Sequence, residues 1–228
     1  MPLVSLLGFL QSESIRLTRA DCFEDSQEGL FGTEEMLSHM PENMHERIKN
    51  ALKKQTKETF ITCWHYAASE SLAMWKIYGG GKDAVAIVTN TGKVISACDE
   101  YCKNNRVTGM FGHVVYENHI DRNGGMQTET VGLPFGLQSK YMSSSSLVYF
   151  MKATAFSHEK EWRIVLRKEQ TDETGLVVPI GNANDFIQSI YVAPDAEDWI
   201  VAIIKKLVNE QLGFGDIVVS KSPLSKHY

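Results

Sequence analysis

With 228 residues, 43% of them hydrophobic, the chain can bury one sizeable core, and a single domain over 1–228 is the expectation. A net charge of -5 argues against a broad nucleic-acid surface and leaves room only for a local basic groove. No apolar run spans a bilayer, Met1 to Leu10 lacks a basic leader and cleavage pattern, and the four cysteines show no CxxC pairing or histidine neighbours, so a soluble cytoplasmic protein with reduced thiols, no metal site and no membrane contact is expected.

In chain order, Leu6, Leu7 and Leu10 at helical spacing predict a helix over Val4 to Leu10. Ile15 and Leu17 alternate with Arg16 and Thr18 as in a short strand. Asp21, Glu24, Asp25 and Glu28 miss the calcium-loop spacing and read as a turn whose carboxylates cap the next helix. Thr33 to Lys57 reads as helix, interrupted or kinked at Pro41, with Met36, Leu37, Met40, Met44, Ile48 and Leu52 as its core stripe.

Phe60 to Trp64 is β-branched, aromatic or small, the mark of a strand; from Ser69 the spacing turns helical, with Ser69 as cap and Gly79 to Gly81 as the stop. Such an elbow gathers His65, Ser69, Ser71, Trp75 and Tyr78, a set that suits a flat, polar, aromatic ligand. The plainer alternative keeps Trp64 and Trp75 in the core and makes Ser69 a cap alone.

Ala84 to Thr89 predicts a buried strand, and Thr91 to Asn104 a helix with Val94, Ile95, Cys98 and Tyr101 inward. No GxGxxG joins them, which rejects a Rossmann fingerprint. Val107 to Tyr116 predicts one long strand, with Gly109 and Gly112 permitting a bulge or a close approach. Asn118 to Gly136 reads as a long loop, either substrate-facing or a solvated connection, and Leu137 to Thr154 as helix. In FSHEKEWRIVLRK, alternation sets Glu161, Arg163 and Val165 against Trp162, Ile164 and Leu166; the first set is either a surface ion pair or part of a site. Val177 to Ile180 and Ser189 to Val192 read as strands. Asp195 opens a helix with Trp199, Ile200, Ile203, Ile204, Leu207, Val208 and Leu212 as its buried face, and Ile217 to Val219 is the last strand. Strands and helices without strict alternation predict an α+β fold, mixed sheets flanked by helices.

Three blocks, FEDSQEG at Phe23 to Gly29, CWHYAASESLAMWKIY at Cys63 to Tyr78 and KATAFSHEKEWRIV at Lys152 to Val165, resemble the bacterial family catalogued as domain of unknown function 2971. Members of that family open with a W-R-Y-M strand, of which Met1 looks like the last residue, so the strand is expected to be missing here. The arrangement in turn resembles the ADP-ribosyltransferase fold with its split sheet, and most closely the toxins that modify DNA bases. That resemblance implies an NAD-dependent ADP-ribosyltransferase-like protein, a toxin or phage-defence effector acting on nucleic acid or protein, with a neutralising partner. It assigns catalysis to Glu161, NAD contacts to His65, Ser71 and Tyr78, the nicotinamide pocket to Trp75, and the orienting of Glu161 or a phosphate to Arg163. Two readings stand beside it: a non-catalytic module binding a nucleotide or partner, and a hydrolase using Glu159 and Glu161 as paired carboxylates.

Overall fold

Where the apolar spacing switches between helical and alternating, the elements switch with it. A computed structural model describes residues 1–25, 28–30, 33–117 and 144–227. Helix α1 (Leu3–Ser12) leads into β1 (Ser14–Arg19), then α2 (Thr33–Ser38), α3 (Glu42–Lys57), β2 (Thr59–His65), α4 (Leu72–Tyr78), β3 (Val85–Thr89) and α5 (Thr91–Asn105). After β4 (Thr108–His113) and β5 (Val115–Tyr116) the described chain resumes with β6 (Met151–Lys152), β7 (Glu161–Arg167), β8 (Gly175–Pro179), α6 (Ala183–Phe186), β9 (Ile187–Val192), α7 (Asp198–Lys206) and β10 (Val218–Lys221). The strands form a five-stranded sheet in the order β4-β7-β2-β1-β8, a three-stranded sheet β10-β9-β3 and a parallel pair β5-β6. The class is α+β, with mixed sheets and flanking helices.

Two compact units divide the chain: Met1–Ile15 with Ala67–Ala97 and Val178–Tyr228, and Arg16–Tyr66 with Cys98–Val177. In the first unit, β9 pairs parallel to β10 and antiparallel to β3, and Ile190 and Val192 are fully buried. In the second, β7 lies between β4 and β2, antiparallel to both, and residues 161–166 are all buried, so this central strand is covered on both faces. On one face Ile61 and Val165 join Ala20, Tyr149 and Phe150 in a core that Cys63 and Met110 border. On the other, Trp162 meets Phe111 with ring centroids 5.8 Å apart. Gly109 allows the close approach expected of it, since a Cβ there would stand 2.5 Å from Leu166 Cδ2.

Several expectations are corrected. Pro41 interrupts the helix, as the sequence allows, but the apolar stripe proposed through it does not hold: Leu37 is buried while Met40 and Met44 are exposed. The cap of α4 is Ser71, whose hydroxyl accepts from Met74 N at 3.4 Å, and the helix starts two residues later than a cap at Ser69 would place it. The long strand ends at His113: Val114 N–H bonds Glu161 O at 2.9 Å, and β5 then pairs with β6. From Ser144 the expected helix is a 3-10 turn (Ser144–Phe150), then β6 and a second 3-10 turn (Thr154–Glu159). Residues 137–143 and the loop 118–136 lie outside the described residues. Ile204 on α7 and Val208 in the π-helical turn that continues it (Leu207–Gln211) are buried, but Trp199 and Ile203 are exposed, because the helix is apolar on more than the side that meets β10.

Candidate functional site

At the start of β7, a chain of five charged side chains passes through the second unit. The guanidinium of Arg163 holds Glu28 through two bonds, Nη1 to Oε1 at 2.6 Å and Nη2 to Oε2 at 3.1 Å, and donates from Nε to Glu161 Oε2 at 2.5 Å. Its Nη1 also donates to Tyr149 O at 2.6 Å, so every guanidinium nitrogen has a protein partner and Arg163 is 0% exposed. The other oxygen of Glu161 lies 3.5 Å from the Lys152 ammonium, which in turn donates to Glu159 Oε2 at 2.6 Å. With all five ionised, three carboxylates face two cations, and the chain carries one excess negative charge.

The backbone builds this arrangement. Cross-strand pairing sets Cys63 opposite Arg163 and His65 opposite Glu161, and Gly112 faces Arg163 from β4 without side-chain bulk. Lys160, in the left-handed region at φ 45°, turns the chain between Glu159 and Glu161, so carboxylates on a 3-10 turn and on a strand converge on one ammonium. Tyr116 Oη accepts from Glu161 N–H at 2.8 Å and fixes the first residue of the strand.

Burial dominates the protonation of these groups. Burial works against the charge on Arg163, but Cys63, Glu28 and Glu161 outweigh it and hold the guanidinium above its ordinary range. Burial likewise opposes the Lys152 ammonium, which the bond to Glu159 and the charge of Glu161 raise above its ordinary value. Glu28 is pushed up by burial and drawn back by Arg163. Burial pushes the Cys63 thiol up to about 12, so it stays protonated at neutral pH and is no nucleophile.

His65 adds a ligand-directed feature. Its Nδ1 lies 2.6 Å from Glu159 O; a carbonyl only accepts, so Nδ1 carries a proton and the ring is oriented with Nε2 turned away from that bond. That Nε2 is buried and has no hydrogen-bond partner among the described residues.

The residues singled out from sequence fall into two groups. His65, Glu161 and Arg163 come together in the second unit. Ser71, Trp75 and Tyr78 are in the first, on or at the start of α4: Ser71 caps it, Trp75 Nε1 donates to Glu70 Oε2 at 2.8 Å, and Tyr78 is exposed. Glu161 and Arg163 form a buried pair, which removes the reading of a surface ion pair. Glu28, Lys152 and Tyr116 were missed. Glu28 and Lys152 lie inside the FEDSQEG and KATAFSHEKEWRIV blocks, so the signal was present; Glu28 had been read as a capping carboxylate. Among the described residues, no group of three or more His, Cys, Asp or Glu could hold a metal ion, and no helix is long and apolar enough to cross a membrane.

Residues 74–164 match the model of the family described as protein of unknown function (DUF2971). The match takes in most of α4, all of β4 and the opening of β7 through Glu161 and Arg163, and begins after Glu28, His65 and Ser71. No curated protein and no solved structure matches the chain.

Proposed function

We propose that the second unit carries an NAD-dependent ADP-ribosyltransferase-like site centred on Glu161 and His65. The observation that carries this reading is the buried His65 Nε2, without a hydrogen-bond partner among the described residues, on the residue directly across the ladder from Glu161. A buried polar atom without a partner costs stability unless a ligand satisfies it, and a ribose hydroxyl, which both donates and accepts, can do so. The excess negative charge of the cluster suits the positive nicotinamide ring and the oxocarbenium-like charge that grows as the ring departs. In this reading His65 accepts from a ribose hydroxyl, Glu161 stabilises the developing cation, and Arg163 and Lys152 hold Glu161 in place. The bond from the ribose carbon to the nicotinamide nitrogen breaks with the electron pair leaving on nicotinamide. The acceptor nucleophile bonds to that carbon and loses a proton. A nucleic-acid or protein acceptor, a toxin or phage-defence setting and a neutralising partner follow the resemblance alone.

The test is incubation with labelled NAD and candidate nucleic-acid and protein acceptors, beside Glu161→Gln and His65→Asn, with melting curves to confirm folding. Label transfer and nicotinamide release by the wild type, lost in both variants, support the reading. A folded wild type that does neither overturns it.

One observation favours a second reading. Both oxygens of Glu161 are engaged and the residue is 7% exposed, as a structural carboxylate in a non-catalytic binding module would be. A thermal shift with NAD and no turnover distinguishes that case.

A further inference from the structure

Helix α7 in the first unit carries an apolar stripe that its own fold does not use. Trp199 is 59% exposed and Ile203 56%, one turn apart on the same side of the helix, while Ile204 and Val208 supply the buried side. The indole is also held in place: Trp199 Nε1 donates to Glu197 Oε2 at 2.7 Å, and Glu197 pairs with Lys82 at 3.2 Å. An exposed tryptophan with its orientation fixed loses little freedom on contact, which is the character of an interface anchor.

The charges around the stripe say what covers it. Asp195, Glu197 and Asp198 cluster at the start of α7, and Lys205 and Lys206 at its end, all five of them exposed. Lys82 pairs with Glu197 and Lys221 with Asp198, which leaves that end one net negative charge and makes Asp195 the acid opposite the basic end of a second copy. A helix with acids at one end, bases at the other and an apolar centre is complementary to itself when a second copy runs antiparallel. A two-fold axis midway between Trp199 and Ile203 sets each Trp199 against the other copy's Ile203 and each Lys206 against the other copy's acidic end. The two macrodipoles then oppose, which also favours the antiparallel arrangement.

We propose that α7 is a homodimer interface, isologous about this axis. One helix face on each side is small beside the roughly 800 Å² per partner of a standard stable interface, so the dimer is a weak, concentration-dependent one.

Sedimentation equilibrium on the full chain across about 1 μM to 1 mM, at low and moderate salt, tests it. The expected result is a reversible monomer–dimer equilibrium. Ile203→Glu, on an exposed site that the fold does not need, abolishes it. Lys206→Glu or Asp195→Lys alone weakens it about tenfold or more, and the two together restore it, because the reversed charges again meet across the axis. A wild type that is monomeric throughout, or a dimer that survives Ile203→Glu, overturns the proposal. A dimer weakened by each charge reversal but not rescued by the pair overturns the antiparallel arrangement.

Discussion

Arg163 and Glu28, 135 positions apart in sequence, meet through two near-parallel hydrogen bonds in an environment where the guanidinium has no exposed surface. Removing one partner strands the other as an uncompensated buried charge. Arg163→Met is therefore expected to cost about 3–5 kcal/mol in denaturant unfolding. The double variant Glu28→Gln with Arg163→Met should cost less than the sum of the singles by about 1 kcal/mol or more, since it removes both ends of the pair. Strict additivity would show that the two side chains do not act as a pair.

Position 65 separates structural from ligand-binding roles. Asparagine places an amide N–H where the imidazole has Nδ1–H, so His65→Asn keeps the bond to Glu159 O and deletes Nε2. The expected outcome is a melting temperature within a few degrees of wild type, about 1 kcal/mol or less, and loss of any NAD-induced thermal shift. A large loss of stability with the shift retained would assign His65 to the scaffold.

Alkaline pH should destabilise the protein. Burial raises Cys63 and Cys98 from 9.0 to about 12, Cys102 from 9.0 to about 11, and Tyr149 from 10.0 to about 12. Each raised group keeps its proton in the folded state while the unfolded chain releases it. Stability is thus fully present below the unfolded values and falls as pH climbs from about 9 towards 12. Cys63→Ala should flatten that fall by up to about 1.4 kcal/mol per pH unit, the effect of one proton, in denaturation series run at stepped pH. An unchanged slope would mean that Cys63 titrates alike in both states.

Gly29 is held by backbone and by space together. Its φ is +71°, and an added Cβ would run into the ring of Tyr149, whose carbonyl accepts from Arg163. Gly29→Ala is expected to lower stability by about 2–4 kcal/mol in urea titrations, from strain and overpacking. A loss below 0.5 kcal/mol, roughly the noise of a surface substitution, would show that Tyr149 moves aside freely.

Much of the scaffold was legible because local signals were strong. Alternation in Glu161 to Leu166, the break at Pro41 and the leucine spacing of α1 each express a period or a steric rule that tertiary contacts did not override. The failures lie where two local signals compete. Apolar spacing on α7 predicted burial for Trp199 and Ile203, but periodicity cannot say which of two apolar sides meets the sheet. The run at Ser143 to Ser146 gave no period to read. The site was half legible for a different reason: the convergence of Glu28, Lys152 and Glu161 depends on long-range pairing and on the left-handed turn at Lys160, and neither leaves a mark in composition.

Enclosing Arg163 also constrains how the molecule assembles. The segments that carry Glu28, Tyr149 and Glu161 all supply acceptors to one guanidinium, and a collapsed chain lacking any of them would trap a bare cation in an apolar interior. These strands and turns are therefore expected to arrive together, with the 135-position separation of Glu28 and Arg163 as the longest of the three closures to be made.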